Sequence, residues 1–175
     1  FMEMAEHHGM LAEKTQLEQR LVYGYYPDVV NNRGNEKRLL TSLSDSYLYK
    51  DLFAYEKLKK PSLMQTLLRA LALQLGQEVS YSELGQMIGA DRGTVERYLD
   101  LLEKTFVVFR LPAFSRNLRS ELKKSRKVYF YDNGIRNAII GNYTPLALRN
   151  DTGALWENFL ISERRKRLQL ENFYG

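Results

Sequence analysis

Residues 80–110 read SYSELGQMIGADRGTVERYLDLLEKTFVVFR, and this stretch carries more local instruction than any other in the chain. Ser80, followed three positions later by Glu83, has the form of a capping box, in which hydroxyl and carboxylate each satisfy a backbone N–H left open at a helix start. A short helix to about Ile88 follows. Gly89 and Ala90 supply a tight turn, and Asp91 is placed to cap a second helix whose apolar residues Val95, Tyr98, Leu99 and Leu102 recur at intervals of three and four. The next run, Val107-Val108-Phe109-Arg110-Leu111, is too β-branched and aromatic to prolong the helix and reads as a strand. Helix, turn, helix and strand in that order predict a winged helix-turn-helix, with the strand as the first of its wing.

The chain then turns basic. Between Arg110 and Lys127 lie Arg110, Arg116, Arg119, Lys123, Lys124, Arg126 and Lys127 against Glu121 alone, a local balance of +6 where the whole chain of 175 residues has +5. Such a stretch beside a helix-turn-helix is the electrostatic footprint of phosphate contact, although a solvated loop has the same composition. On the second helix the expected DNA-binding positions are Arg92, Thr94 and Arg97, near the end that a major-groove reader inserts. On the wing they are Arg116, Asn117, Arg119, Lys123, Lys124 and Arg126. Glu96, Asp100 and Glu103 work against the helix, because they put negative charge where the DNA backbone would approach. A salt-bridged helix face suits protein docking equally well.

Upstream, Pro61 closes one helix and Ser62 opens the next, whose Leu67, Leu68, Leu71 and Leu75 mark a buried face that stops at Gly76. The preceding candidate is the longest, from Glu36 to about Leu58, with Leu40, Leu43, Tyr47, Leu48, Leu52 and Tyr55 on one stripe. A short helix over residues 16–23 ends at Gly24-Tyr25-Tyr26-Pro27, one helical turn is expected at 28–32, and residues 1–15 have weak periodicity. Downstream, Val128-Tyr129-Phe130-Tyr131 reads as a strand, Asp132-Asn133-Gly134 as a turn, residues 135–140 as a short helix and 152–168 as a last helix. The expected class is mainly α: a helical segment over 1–60, a winged-helix domain over 61–126, and an incomplete α/β extension over 127–175.

Composition narrows the chemistry. With 44% hydrophobic and 27% charged residues the chain can bury a core. The absence of cysteine excludes disulfides and thiol catalysis. No apolar run approaches the roughly 20 residues of a membrane span, so a cytoplasmic protein without membrane contact is expected. There is no glycine-lysine-hydroxyl phosphate loop, no dinucleotide turn and no serine elbow. Adjacent His7 and His8 should diverge on a regular element and make a poor metal site. Glu157 sits among Gly153, Ala154, Leu160 and Ile161, and a carboxylate in such company needs a partner, whether a cation, a backbone donor or a metal. No catalytic or metal residue and no cofactor is assigned, and the chain is expected not to be an enzyme.

Several segments share an order with a known group: Tyr23-Gly24-Tyr25-Tyr26-Pro27-Asp28, Ser46-Tyr47-Leu48-Tyr49-Lys50-Asp51, Tyr81-Ser82-Glu83-Leu84 and the run from Thr94 to Leu102. The order continues through Phe109-Arg110-Leu111-Pro112, Ser115-Arg116-Asn117, the run from Lys127 to Asp132 and Leu155-Trp156-Glu157-Asn158-Phe159. From about Gln16 to its end the chain resembles the C-terminal half of a prokaryotic group of AAA-type ATP-binding proteins, a winged helix followed by a restriction-endonuclease-like domain. It departs where the group has Gly-Gly before Tyr-Pro, and the later acidic strands of the endonuclease-like domain do not follow, so no catalytic residue carries over. The resemblance implies a non-catalytic module of an ATPase that binds double-stranded DNA through its basic wing. The alternative is an interaction or oligomerisation domain that docks on its own ATPase core or on a second copy and regulates it.

Overall fold

The computed structural model describes residues 1–47, 61–111 and 126–174. The chain is mainly α-helical with one small sheet. The described residues fall into two compact units, one made of 1–43 together with 132–174, the other lying within 44–131.

The second unit begins with α6 (Pro61–Leu73), whose Met64, Leu67, Leu68 and Leu71 are buried. A two-residue strand β1 (Glu78–Val79) leads to α7 (Tyr81–Ile88). The Ser80 hydroxyl accepts from the Glu83 N–H at 3.4 Å, which is half of the expected box. Gly89 takes a left-handed φ of 72°, and α8 (Arg92–Lys104) follows, capped by Asp91. Asp91 Oδ1 accepts from the Thr94 N–H at 2.9 Å and Oδ2 from the Thr94 hydroxyl at 2.7 Å. Val95, Tyr98, Leu99 and Leu102 are all buried, as their spacing predicts. A tight approach fixes the α7–α8 turn: a Cβ on Gly85 would stand 2.5 Å from the Ala90 carbonyl oxygen.

The end of α8 carries strain. The Phe106 N–H donates to the Glu103 carbonyl and the Val107 N–H to the Leu102 carbonyl, the paired bonds of a Schellman stop. The left-handed residue of that motif is usually glycine; here it is Phe106 at φ 55°. Strand β2 (Val108–Leu111) then pairs antiparallel with β3 (Arg126–Phe130), Val108 opposite Phe130 and Leu111 opposite Lys127. On its other side β3 pairs with β1, giving the order β1-β3-β2.

This sheet corrects one expectation. The strand ending at Phe130, expected to open a C-terminal α/β extension, is the central strand of the second unit. Its partners are the segments before α7 and after α8, and its Val128, Tyr129 and Phe130 are buried. Among the described residues, 132–174 contribute helices alone.

The first unit joins the two ends of the chain. Its N-terminal part contains α1 (Met2–His8), α2 (Met10–Thr15), α3 (Leu17–Tyr23), α4 (Pro27–Asn31) and α5 (Glu36–Ser42), after which residues 43–47 form a π-helical turn. The long stripe expected over 36–58 is therefore described only at its start: Leu40 is buried, and Leu48, Leu52 and Tyr55 lie outside the described residues. Its C-terminal part contains α9 (Asn133–Ile140), a 3₁₀ turn at Leu146–Leu148 and α10 (Thr152–Tyr174), several residues longer than expected. Helix α9 packs on α3 and α5, and α10 packs on α3.

Asp132-Asn133-Gly134 is a helix start and not a free turn. Asp132 Oδ1 accepts from the Ile135 N–H at 3.0 Å as the cap of α9, and its Oδ2 accepts from the Tyr25 N–H at 2.7 Å. Buried asparagines complete the seam. Asn133 Nδ2 donates to the Leu21 and Leu155 carbonyls, its Oδ1 accepts from Asn158 Nδ2, and Asn137 Nδ2 donates to the Val22 carbonyl. Burying such amides without partners would be costly; here each meets a main-chain or amide group, and Asn133 and Asn137 reach across the seam to Leu21 and Val22. This is why residues 1–43 and 132–174 form one unit where the sequence order suggested separate ones at 1–60 and 127–175.

Candidate nucleic-acid interface

Helix α8 presents an exposed face of Arg92, Gly93, Glu96 and Arg97 in its N-terminal half. The Asp91 cap sets where this face begins, and burial of the opposite stripe sets which side points outward. Thr94 is half-buried and its hydroxyl proton is held by Asp91, so the side chain serves the cap first. That contact, with the Thr94 N–H, draws Asp91 below the usual carboxylate range. The Arg97 guanidinium lies 5.7 Å from the centre of the Tyr98 ring.

The C-terminal half of α8 is organised by Arg110, the first residue of the basic stretch counted in the sequence. Arg110, on β2, donates through Nη2 to Asp100 Oδ1 and Glu103 Oε2, both at 2.5 Å, and through Nη1 to the Tyr81 hydroxyl at 3.1 Å. Its backbone N–H donates to Glu103 Oε1 at 2.6 Å. The side chain is only 11% exposed. Burial works against its charge, but the hydrogen bonds with Glu103, Tyr81 and Asp100 outweigh burial and raise its pKa.

Two consequences follow for the interface. Arg110 is an internal clamp tying α7, α8 and β2 together, not a free wing cation. Asp100 and Glu103, which argued against α8 as a reader, are both engaged by that clamp, whose single positive charge offsets one of their two negative charges. Glu96 is left as the exposed acid on the N-terminal half of the face. The i, i+3 spacing of Asp100 and Glu103 was visible in the sequence, but their partner on the following strand was not.

Of the wing positions, Arg126 is exposed at the start of β3, opposite Val79. Arg116, Asn117, Arg119, Lys123 and Lys124 lie outside the described residues. Charge divides sharply between the units: residues 44–131 hold 15 Lys and Arg against 10 Asp and Glu, and the rest of the chain holds 11 of each. The entire formal surplus of +5 therefore belongs to the unit that contains α8 and β3.

In the first unit Glu157 is half-exposed on α10. Among the described residues no group of three or more His, Asp or Glu side chains is placed to hold a metal ion. His7 and His8 do not diverge as expected; their Nδ1 atoms stand 3.3 Å apart at the exposed end of α1. The charged groups that are buried here are tied to each other. Glu13, 0% exposed, receives Arg20 Nε at 3.1 Å, and Arg136 and Arg149 converge on Asp151. No described helix is long and apolar enough to cross a membrane.

Comparison with known proteins places residues 14–146 within a family described as a domain of unknown function, DUF8612. An uncharacterized protein of Haemophilus influenzae is 27% identical over 125 residues, 68% of this chain and 31% of its own length. Uncharacterized proteins of Mycobacterium bovis and Mycobacterium tuberculosis are each 33% identical over 95 residues, 53% of this chain and 22% of theirs. The chain thus spans less than a third of each of these relatives. No solved structure matches it.

Proposed function

The chain belongs to the DUF8612 family, and we propose that its second unit is a non-catalytic winged helix-turn-helix module that binds duplex DNA through a basic wing, as part of a longer AAA-type ATP-binding protein. The observation that carries this reading is the concentration of the whole positive surplus in that unit. The succession α6, β1, α7, α8, β2, β3 with sheet order β1-β3-β2 supports the winged-helix assignment, since β2 and β3 form the hairpin from which a wing extends. The placement in an ATPase rests on the ordered motifs from Gln16 onward and is consistent with relatives more than three times the length of the matched segment.

The wing is the main phosphate contact in this reading, and α8 is the groove-facing helix, with Arg92 and Arg97 toward the DNA. A second reading, a docking domain that regulates the ATPase core, is favoured by Phe106, a strained residue that is nonetheless 66% exposed. Fluorescence anisotropy with a labelled 20-base-pair duplex separates the two. The DNA reading expects binding at low salt that weakens steeply as salt is added, and the docking reading expects no binding at any salt.

A further inference from the structure

We infer that Glu96 is a base-reading residue, accepting from the exocyclic amino group of cytosine in the major groove, with Arg92 one turn earlier facing a guanine. This deepens the proposed function and rests on the second unit being a duplex-DNA module.

Glu96 is exposed at the centre of the N-terminal half of the α8 face, the half that a groove-inserted helix brings closest to base edges. Arg92 precedes it by four positions and so shares its row on the helix; Arg97 flanks it, and Gly93 lies three positions before it. Gly93 leaves the helix surface low beside the carboxylate, which permits close approach of a base pair.

The other two acids of the face serve the fold, since Arg110 engages both. Glu96 is not used in that way. Among the described residues it makes no ion pair, although Arg92 and Arg97 are near in sequence. An unpaired carboxylate on a DNA-facing helix is repelled by phosphates unless a donor meets it. The major groove offers one suitable donor class, the exocyclic amino groups, and carboxylates pair characteristically with N4 of cytosine. Arginine pairs with O6 and N7 of guanine, so Arg92 and Glu96 together favour C·G pairs over A·T pairs.

The test compares the whole chain with its Glu96→Ala and Glu96→Gln variants. Each is titrated with mixed-sequence duplexes of equal length that contain C·G pairs, A·T pairs only, or C·G pairs carrying N4-methylcytosine. The expected preference of the unsubstituted chain for C·G-containing DNA is about 5- to 100-fold, weakened by N4-methylation. Glu96→Ala should reduce the preference several-fold, to the part that Arg92 supplies, and should remove its sensitivity to N4-methylation without reducing affinity for A·T-only DNA, and Glu96→Gln should move it toward adenine. Because the side chain is exposed, both variants should keep the parent melting temperature. Equal binding of all duplexes by the unsubstituted chain overturns the inference while leaving DNA binding intact. So does a Glu96→Ala variant that binds every duplex more tightly by the same factor, which marks Glu96 as merely repulsive. No binding to any duplex at low salt overturns the inference and the underlying reading together.

Discussion

Asp151 receives hydrogen bonds from Arg136 Nη1, Arg149 Nε and Arg149 Nη2, and these decide its titration. Burial alone would raise its pKa, but the bonds from Arg149 and Arg136 outweigh burial and hold it at about 2, against an ordinary value of 3.8. The folded value is the lower one, so the stabilisation is present above pH 4 and is lost as the pH falls through 4 toward 2. The carboxylate is 21% exposed, and with solvent screening the effect should be about 1–2 kcal/mol. Urea unfolding of Asp151→Asn should show that loss at pH 7 and a shallower decline than the parent between pH 4 and 2. Gly24 makes a sharper case. It has φ 73°, and a Cβ there would overlap the Asp132 carboxylate, so Gly24→Ala should cost about 2–4 kcal/mol and lower the melting temperature. The sequence marks Gly24 as a helix stop. It does not reveal the carboxylate that fills the missing side chain's place, because Asp132 lies 107 positions beyond Tyr25, whose N–H it accepts.

Helices α7 and α8 were legible almost to the residue because their signals are local: Ser80 and Asp91 cap them, Gly89 separates them, and the apolar stripe of α8 repeats at helical spacing. Strand β3 was legible as a strand and misplaced as part of a domain. Its hydrophobic run is the same whether it pairs ahead or behind, and register with β1 and β2 is a non-local choice. The role of Arg110 was not legible for a related reason, since a cation next to a basic loop gives no sign of carboxylates on the preceding helix. The α7–α8 turn has its own test. Gly85→Ala drives a methyl group against the Ala90 carbonyl, which belongs to the backbone and cannot rotate away. The expected cost is about 2–3 kcal/mol, with amide hydrogen exchange accelerated first across residues 81–104. Unchanged protection there would contradict the close approach.

Across the whole chain, one unit is electrically balanced and built from both ends of the sequence, and the other carries the surplus charge. The sequence already concentrated the surplus between Arg110 and Lys127, but that the remainder forms one balanced unit became visible only when 1–43 and 132–174 proved to share a core. The buried asparagine seam had no sequence signature, since an asparagine that satisfies a distant carbonyl looks like one in a loop. Segregated charge is also what gives the functional claim its measurable form. Each phosphate neutralised in duplex DNA contributes a slope of about −0.9 to the dependence of log affinity on log salt. With wing residues Arg116, Arg119, Lys123, Lys124 and Arg126 engaged, the slope for the intact chain should be about −4.5. The decisive measurement is that slope for the parent and for a variant with Lys123 and Lys124 both replaced by alanine. The account predicts that the variant binds more weakly and that its slope is shallower by about 2. A slope near zero in the parent, or one unchanged by the double substitution, would contradict it.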